Sequence, residues 1–173
     1  ISFATPEKER KEFFKEAVTL YERSKYDDII KWAEYELALK RTDTSHDFLA
    51  YLAEQMIEMN KAVNEEVKGF LKWLEREIGA EIDILTNKTA IKTYHENDFN
   101  HFLDVLKKNK NKLSKDPSSR KTQELLEKHF TKSMSGLEPL KDKIKATDSL
   151  IDQIVYKLYG LMEEESAIVE GRR

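Results

Sequence analysis

From Ser45 to Ile78 the chain has no proline and a single glycine, and its apolar residues fall at Leu49, Leu52, Met56, Met59, Val63, Val67, Phe70, Leu74 and Ile78. The intervals are all 3 or 4 and average near 3.6, the repeat of an α-helix, so this stretch predicts one helix about 50 Å long at a rise of about 1.5 Å per residue. A dedicated two-stranded coiled coil would keep a repeat of about 3.5. Phe48, Tyr51, Ile57 and Leu71 widen the stripe further, which suits the spine of a bundle. Gly69 costs this helix about 1 kcal/mol of propensity, and Gly79 is placed to close it as a left-handed cap.

Shorter helices are predicted on either side. Thr5 as N-cap and Pro6 at the first helical position open one that carries Phe13, Phe14, Val18 and Tyr21. After Ser24 a second runs from Tyr26 to Lys40 and buries Ile29, Ile30, Ala33 and Leu37, with Trp32 a further candidate. Thr44 is the expected cap of the spine, with Asp47 reaching back in a capping box. Residues 80–97 read equally as a short helix or a structured loop. Asp98 is the expected cap of a helix carrying Phe99, Phe102, Val105, Leu106 and Leu113, and Asp116-Pro117 the expected start of the next. Gly136 and Pro139 predict a break. Thr147 or Asp148 then caps a segment anchored by Ile151, Ile154, Val155 and Leu158, which stops at Gly160, and a last short helix is expected over 163–170.

The fold expected is therefore all-α, an elongated helical bundle built around one long central helix. Its parts are residues 1–79, with the N-terminal helices and the spine, and a basic helical region over 80–173 packed on the spine. The chain has 5 Gly and 3 Pro in 173 residues, with 39% apolar and 36% charged residues, a composition that favours helix over disorder.

Several chemistries are excluded by what the sequence lacks. Without cysteine there is no disulfide, thiolate nucleophile or cysteine-ligated metal. No stretch approaches the length and apolarity of a membrane span, so no membrane partner is expected. The missing cysteine and the charges in the first 15 residues, too many for a signal peptide, lead to the expectation of a cytoplasmic location. Ile1 in place of an initiating Met fits a segment of a longer protein. A di-iron bundle needs Glu-x-x-His, but His46, His95, His101 and His129 follow Asp43, Lys92, Asp98 and Leu126 at that spacing. No Gly-rich phosphate loop or nucleophile elbow is present. Acidic pairs such as Glu54 and Glu58 suit a solvated helix face. The sequence thus offers no catalytic, cofactor-binding or metal-ligating residue.

Charge is divided along the chain. Residues 1–86 hold 13 Lys and Arg against 19 Asp and Glu, a net of −6, whereas 87–159 hold 15 against 10, a net of +5. The sharpest concentration is Lys107, Lys108, Lys110, Lys112, Lys115, Arg120 and Lys121, opposed within that span by Asp116 alone. These are candidate contacts to backbone phosphate. Lysines also suit a helix C-terminus and keep surfaces soluble, so both readings stand. Asn109 and Asn111, interleaved with the lysines, have the side chain that reads adenine.

The ending TDSLIDQIVYKLYGLMEEESAIVE resembles the C-terminal motif of Eco57I-like type IIG restriction-modification proteins and related adenine-specific DNA methyltransferases. KWAEYELALKRTDTSHDFLAYLAEQMIEMNKAVNEEVKGFLKWLEREIG resembles their long-helix segment. Asp148, Ile151, Asp152, Val155, Tyr156, Leu158, Tyr159 and Gly160 carry the match. Met162 and Ser166 depart from it, where the family has Thr and an apolar residue. The resemblance implies a helical spacer or scaffold supporting DNA target recognition, in one polypeptide with methyltransferase and recognition domains and with double-stranded DNA as partner. It implies S-adenosylmethionine and Mg2+ for the parent protein and no cofactor for this segment, which lacks the Asn-Pro-Pro-Tyr/Phe and Pro-Asp…Glu-x-Lys motifs. The alternative expectation is a protein-interaction or structural bundle unrelated to DNA.

Overall fold

The computed structural model describes residues 4–160. Among them the fold is all-α, a helical bundle without strands: α1 (Glu7–Glu22), α2 (Tyr26–Ala38), the long central α3 (Thr42–Ile78), α4 (Lys88–Lys92), α5 (Phe99–Lys108) and α6 (Arg120–Leu158). Single 3-10 turns stand at Ile82–Ile84, Tyr94–Glu96 and Lys110–Lys112. The helix expected over 163–170, with Met162 and Ser166, lies outside the described residues.

Packing groups the helices into two compact units. Among the described residues one covers 4–58 and 144–160, and the other is Met59–Lys143. The two longest helices contribute residues to both, because successive stretches of each apolar stripe are buried against different neighbours.

In the first unit, Ala17 and Tyr21 of α1, Ile29, Trp32 and Ala33 of α2, Phe48 and Leu52 of α3, and Leu150 and Ile154 of α6 form the core. Polar bonds tie the helices together around it. Asp43 accepts from the Thr5 amide at 2.9 Å and hydroxyl at 2.8 Å. Arg10 grips Asp47 through two nitrogens at 2.5 and 2.7 Å, and the Tyr21 hydroxyl meets that of Thr147 at 2.8 Å.

These bonds correct three expected caps. Thr5 is spent on Asp43, so α1 starts after an extended Pro6 with no side-chain cap. Asp47 is spent on Arg10 and does not reach back. Thr44 lies inside α3, its hydroxyl 2.8 Å from the Arg41 carbonyl and 3.2 Å from Glu36. The helical register places Leu150 and Ile154 inward and leaves Ile151, Val155 and Leu158 half-buried, a correction to the anchors expected there.

In the second unit Phe70, Tyr94, Phe102 and Phe130 pack as a ring cluster, with Phe70 and Tyr94 centroids 4.1 Å apart. The buried Tyr94 hydroxyl is satisfied by Ser133 at 2.6 Å, and burial pushes its pKa up to about 12. The segment after α3 folds as turn, short helix and turn, burying Ile82, Leu85, Ile91 and Tyr94. Asp98 caps α5 as expected, accepting the His101 amide at 2.8 Å.

Two breaks expected in this half of the sequence are absent. Gly136 and Pro139 are inside α6, which also runs through Thr147 and Asp148 without a restart. Pro139 is exposed, so the carbonyl deprived of its amide partner, that of exposed Ser135, can turn to water. Asp116-Pro117 does not start α6 either. Asp116 accepts from the Ser118 amide at 2.9 Å in a local turn, and Ser119 takes the first-turn amide of Thr122 at 3.3 Å.

Gly79, by contrast, terminates α3 as expected, with φ +67. A Cβ there would lie 2.1 Å from the Ser114 hydroxyl oxygen, whereas one at Gly69 would meet nothing within 4 Å. Gly79→Ala is expected to cost about 2 kcal/mol from backbone strain plus the clash, and Gly69→Ala to gain about 0.5–1 kcal/mol. Urea unfolding monitored by circular dichroism checks the opposite signs.

Glu36 supplies a second expectation. It is 1% exposed. Burial, the largest influence, pushes its carboxyl above the ordinary range against the pull of Arg41, which also lies over the Phe13 ring at 4.3 Å, and of Thr44. The unfolded chain ionises this group more readily than the folded one. Its effect therefore opposes folding above the raised pKa and fades as pH falls below the ordinary glutamate value. Glu36→Gln should raise the unfolding midpoint at neutral pH, with the gain shrinking on acidification through the carboxylate range.

Candidate nucleic-acid interface

The basic residues are assembled by a hydrogen-bonded connector inside the second unit. α5 is amphipathic, burying Phe102, Leu103, Val105 and Leu106, and it ends in Lys107 and Lys108 at the negative pole of the helix. The next residue, Asn109, is 2% exposed. Its Oδ1 accepts the Thr86 amide at 2.8 Å, and its Nδ2 donates to the Thr86 carbonyl at 2.9 Å and the Val105 carbonyl at 2.8 Å. Every polar atom of this side chain is engaged, so the expectation that Asn109 could read a base is corrected. Asn111 remains exposed.

Beyond the 110–112 turn, Ser114 closes on the end of α3: its amide and hydroxyl both donate to the Ile78 carbonyl, at 2.9 and 3.1 Å. The chain then passes through the Asp116 turn into the first residues of α6, Arg120 and Lys121. Sequence neighbours separated by loop and turn are thereby set at one end of the unit's helices.

The seven cations do not share one environment. Lys112 is turned onto the protein, donating to the Ile84 carbonyl at 3.0 Å and the Thr86 hydroxyl at 3.4 Å. Lys115 pairs with Glu77, Lys110 approaches Asp116 at 3.6 Å, and Arg120 pairs with Glu124 one turn on at 2.7 Å. The Ser118 amide, first, and Lys110 hold the Asp116 carboxyl below its ordinary range. Lys107, Lys108 and Lys121 are exposed, with no carboxylate in ion-pairing range among the described residues. Exposed pairs such as Arg120–Glu124 are worth about 0–1 kcal/mol, so Arg120 and Lys110 can exchange their carboxylates for another anion at little cost.

The residues of the family-like ending lie elsewhere. Asp148, Ile151, Asp152, Val155, Tyr156 and Leu158 occupy the last turns of α6 in the first unit, followed by an exposed Tyr159 and by Gly160 at φ +65, where the helix stops as expected. Asp148 and Asp152 point to solvent.

The histidines do not converge. His129 stacks on Trp73 with centroids 3.9 Å apart, and burial, then Lys141, lowers the pKa of His95. Among the described residues no group of three His, Cys, Asp or Glu side chains is placed to hold a metal, and no helix is long and apolar enough to cross a membrane. A groove of about 450 Å³ beside Phe14 and Tyr51 has its Arg10 and Lys11 already paired with Asp47 and Glu7. The sequence reading missed Asn109 and Lys112 as connector bonds because both lie in a run whose composition signals charge alone.

Residues 42–155 match the model of a family described as a domain of unknown function, DUF8810. No curated protein and no solved structure matches the chain.

Because the Lys112 ammonium donates to the Ile84 carbonyl and the Thr86 hydroxyl, Lys112→Gln is expected to speed amide hydrogen exchange over residues 82–87, while lowering affinity for a polyanion such as heparin by no more than the loss of one exposed charge. Exchange mass spectrometry and a heparin-column elution series measure the two effects separately.

Proposed function

The chain belongs to the DUF8810 family, and from its own geometry we propose that it is a non-catalytic helical scaffold of a cytoplasmic DNA-acting protein, touching duplex backbone phosphate at its basic end. The observation that carries this reading is the placement of Lys107, Lys108 and Lys121, exposed and without carboxylate partners, beside Lys110 and Arg120, whose pairs are readily exchanged. Phosphate contact of this kind contributes affinity that any sequence can receive.

The parent we propose is a type IIG restriction-modification or adenine-N6 methyltransferase protein, on the resemblance of the ending that includes Asp148, Asp152, Tyr156 and Tyr159. Chemistry involving S-adenosylmethionine or Mg2+ is assigned to the other domains of that polypeptide, since the motifs for it are missing from this sequence. A bundle that binds another protein is the competing reading. It draws on Tyr35, Leu39 and Ile57, large apolar side chains exposed in the first unit.

Fluorescence anisotropy with a labelled duplex distinguishes them. The full chain is expected to bind at low salt and weaken as salt rises. Lys107→Gln, Lys108→Gln and Lys121→Gln together should flatten the plot of log affinity against log salt by about 0.9 per lysine removed. Absence of duplex binding at low salt would reject the DNA reading in favour of the protein-interaction one.

A further inference from the structure

We infer that Asn109 is the positioning residue of the basic end, a buried amide that holds the lysines around it as a fixed phosphate-binding edge; this rests on the phosphate reading. Three observations support it. First, Asn109 sits in the middle of the run Lys107-Lys108-Asn109-Lys110-Asn111-Lys112 and is the one buried residue there. Second, its amide makes three hydrogen bonds of 2.8–2.9 Å, two of them to the backbone of Thr86, 23 residues away. Third, the main chain on both sides is bonded through it: its own N–H donates to the Leu106 carbonyl at 3.0 Å, and its carbonyl accepts from the Lys112 amide at 2.8 Å.

A lysine-rich segment left to itself samples many backbone conformations, and ordering it on a ligand costs about 1–2 kcal/mol per residue fixed. Here that ordering is completed in the free protein. The helix end, the Lys110–Lys112 turn and the 82–86 backbone are joined at one side chain, with Lys112 adding a bond to the Thr86 hydroxyl. Lys107, Lys108 and Lys110 thus leave a backbone whose direction is set, and their charges can meet several phosphates at once. The ligand class is a polyphosphate backbone recognised without reference to base identity, because the cations held there are lysines, whose ammonium groups meet phosphate as point charges.

The test compares Asn109→Ala with Ser133→Ala, which removes the buried partner of Tyr94 elsewhere in the same unit. For each variant of the full chain, the salt dependence of binding to a labelled duplex is measured, and circular dichroism verifies helix content. Asn109→Ala is expected to lower affinity about three- to tenfold and to flatten the salt slope by about one contact, while Ser133→Ala keeps the wild-type slope. Hydrogen exchange of the wild-type chain gives a second reading that needs no variant: the Thr86 and Lys112 amides should be protected. A wild-type slope in Asn109→Ala, or unprotected Thr86 and Lys112 amides, overturns the role of Asn109 while leaving the phosphate reading intact. A wild-type chain that does not bind duplex removes both.

Discussion

The carbonyl of Ile78, at the end of α3, is the point on which the second unit's arrangement depends. A helix leaves its last carbonyls without intrahelical partners, and this one is taken by Ser114, through amide and hydroxyl together. The bond recruits a segment 36 residues away, so the end of one helix fixes the connector that leads into another. It is sterically exacting. Gly79 must both adopt the left-handed conformation and leave empty the space a Cβ would need beside Ser114. Once the connector is held there, Lys115 comes within reach of Glu77, and Asn109 comes opposite Thr86. The same set of bonds that satisfies a helix end therefore also determines where the basic residues stand.

That dependence explains why a count of charges overstates the surface field. Lys112 and Lys115 are turned onto the protein, one onto a backbone carbonyl and a hydroxyl and one onto an acidic residue of α3, because they flank the bonds that anchor the connector. Lys107, Lys108 and Lys121, in the last turn of α5 and the first of α6, are exposed and without a carboxylate partner among the described residues. The macrodipole favours the first two at the C-terminal end of α5 but opposes Lys121 at the N-terminal end of α6. Lys121 thus stands where an anion would be favoured and where a lysine gains nothing from its own helix.

Legibility of the fold followed the range of the interactions involved. The spine was readable to within a few residues because the stripe from Leu49 to Ile78 is a local periodicity, and Asp98, Gly79 and Gly160 were readable because a cap is settled within one turn. The expected caps Thr5 and Asp47 failed for a common reason: each had a partner far away in sequence, Asp43 and Arg10 respectively, whereas Thr44 lies inside α3 with its hydroxyl on the nearby Arg41 carbonyl and Glu36. Pro139 misled in the opposite direction. Proline costs a helix interior about 3 kcal/mol, but Pro139 is exposed on α6, where the carbonyl it leaves unpaired can turn to water, and Leu126, Phe130 and Leu137 before it and Leu150 and Ile154 after it are all buried, each set in its own unit's core. The basic end was legible as composition. Its division into structural and free lysines was not, since that is decided by contacts with residues 77–86 that no spacing announces.

Lysine in place of arginine constrains what such an end can do. An ammonium is a compact point charge, without the planar fork that grips guanine or phosphate in a bidentate manner. Of the seven cations six are lysine, and the single arginine, Arg120, meets Glu124 through its Nε alone. If this end meets duplex DNA, the contacts orient and hold the scaffold without discriminating between sequences. Any selectivity must then come from elements outside residues 107–121, and the bonds of Asn109 and Ser114 matter because a contact that cannot choose a site can still fix the angle at which its scaffold is presented to one.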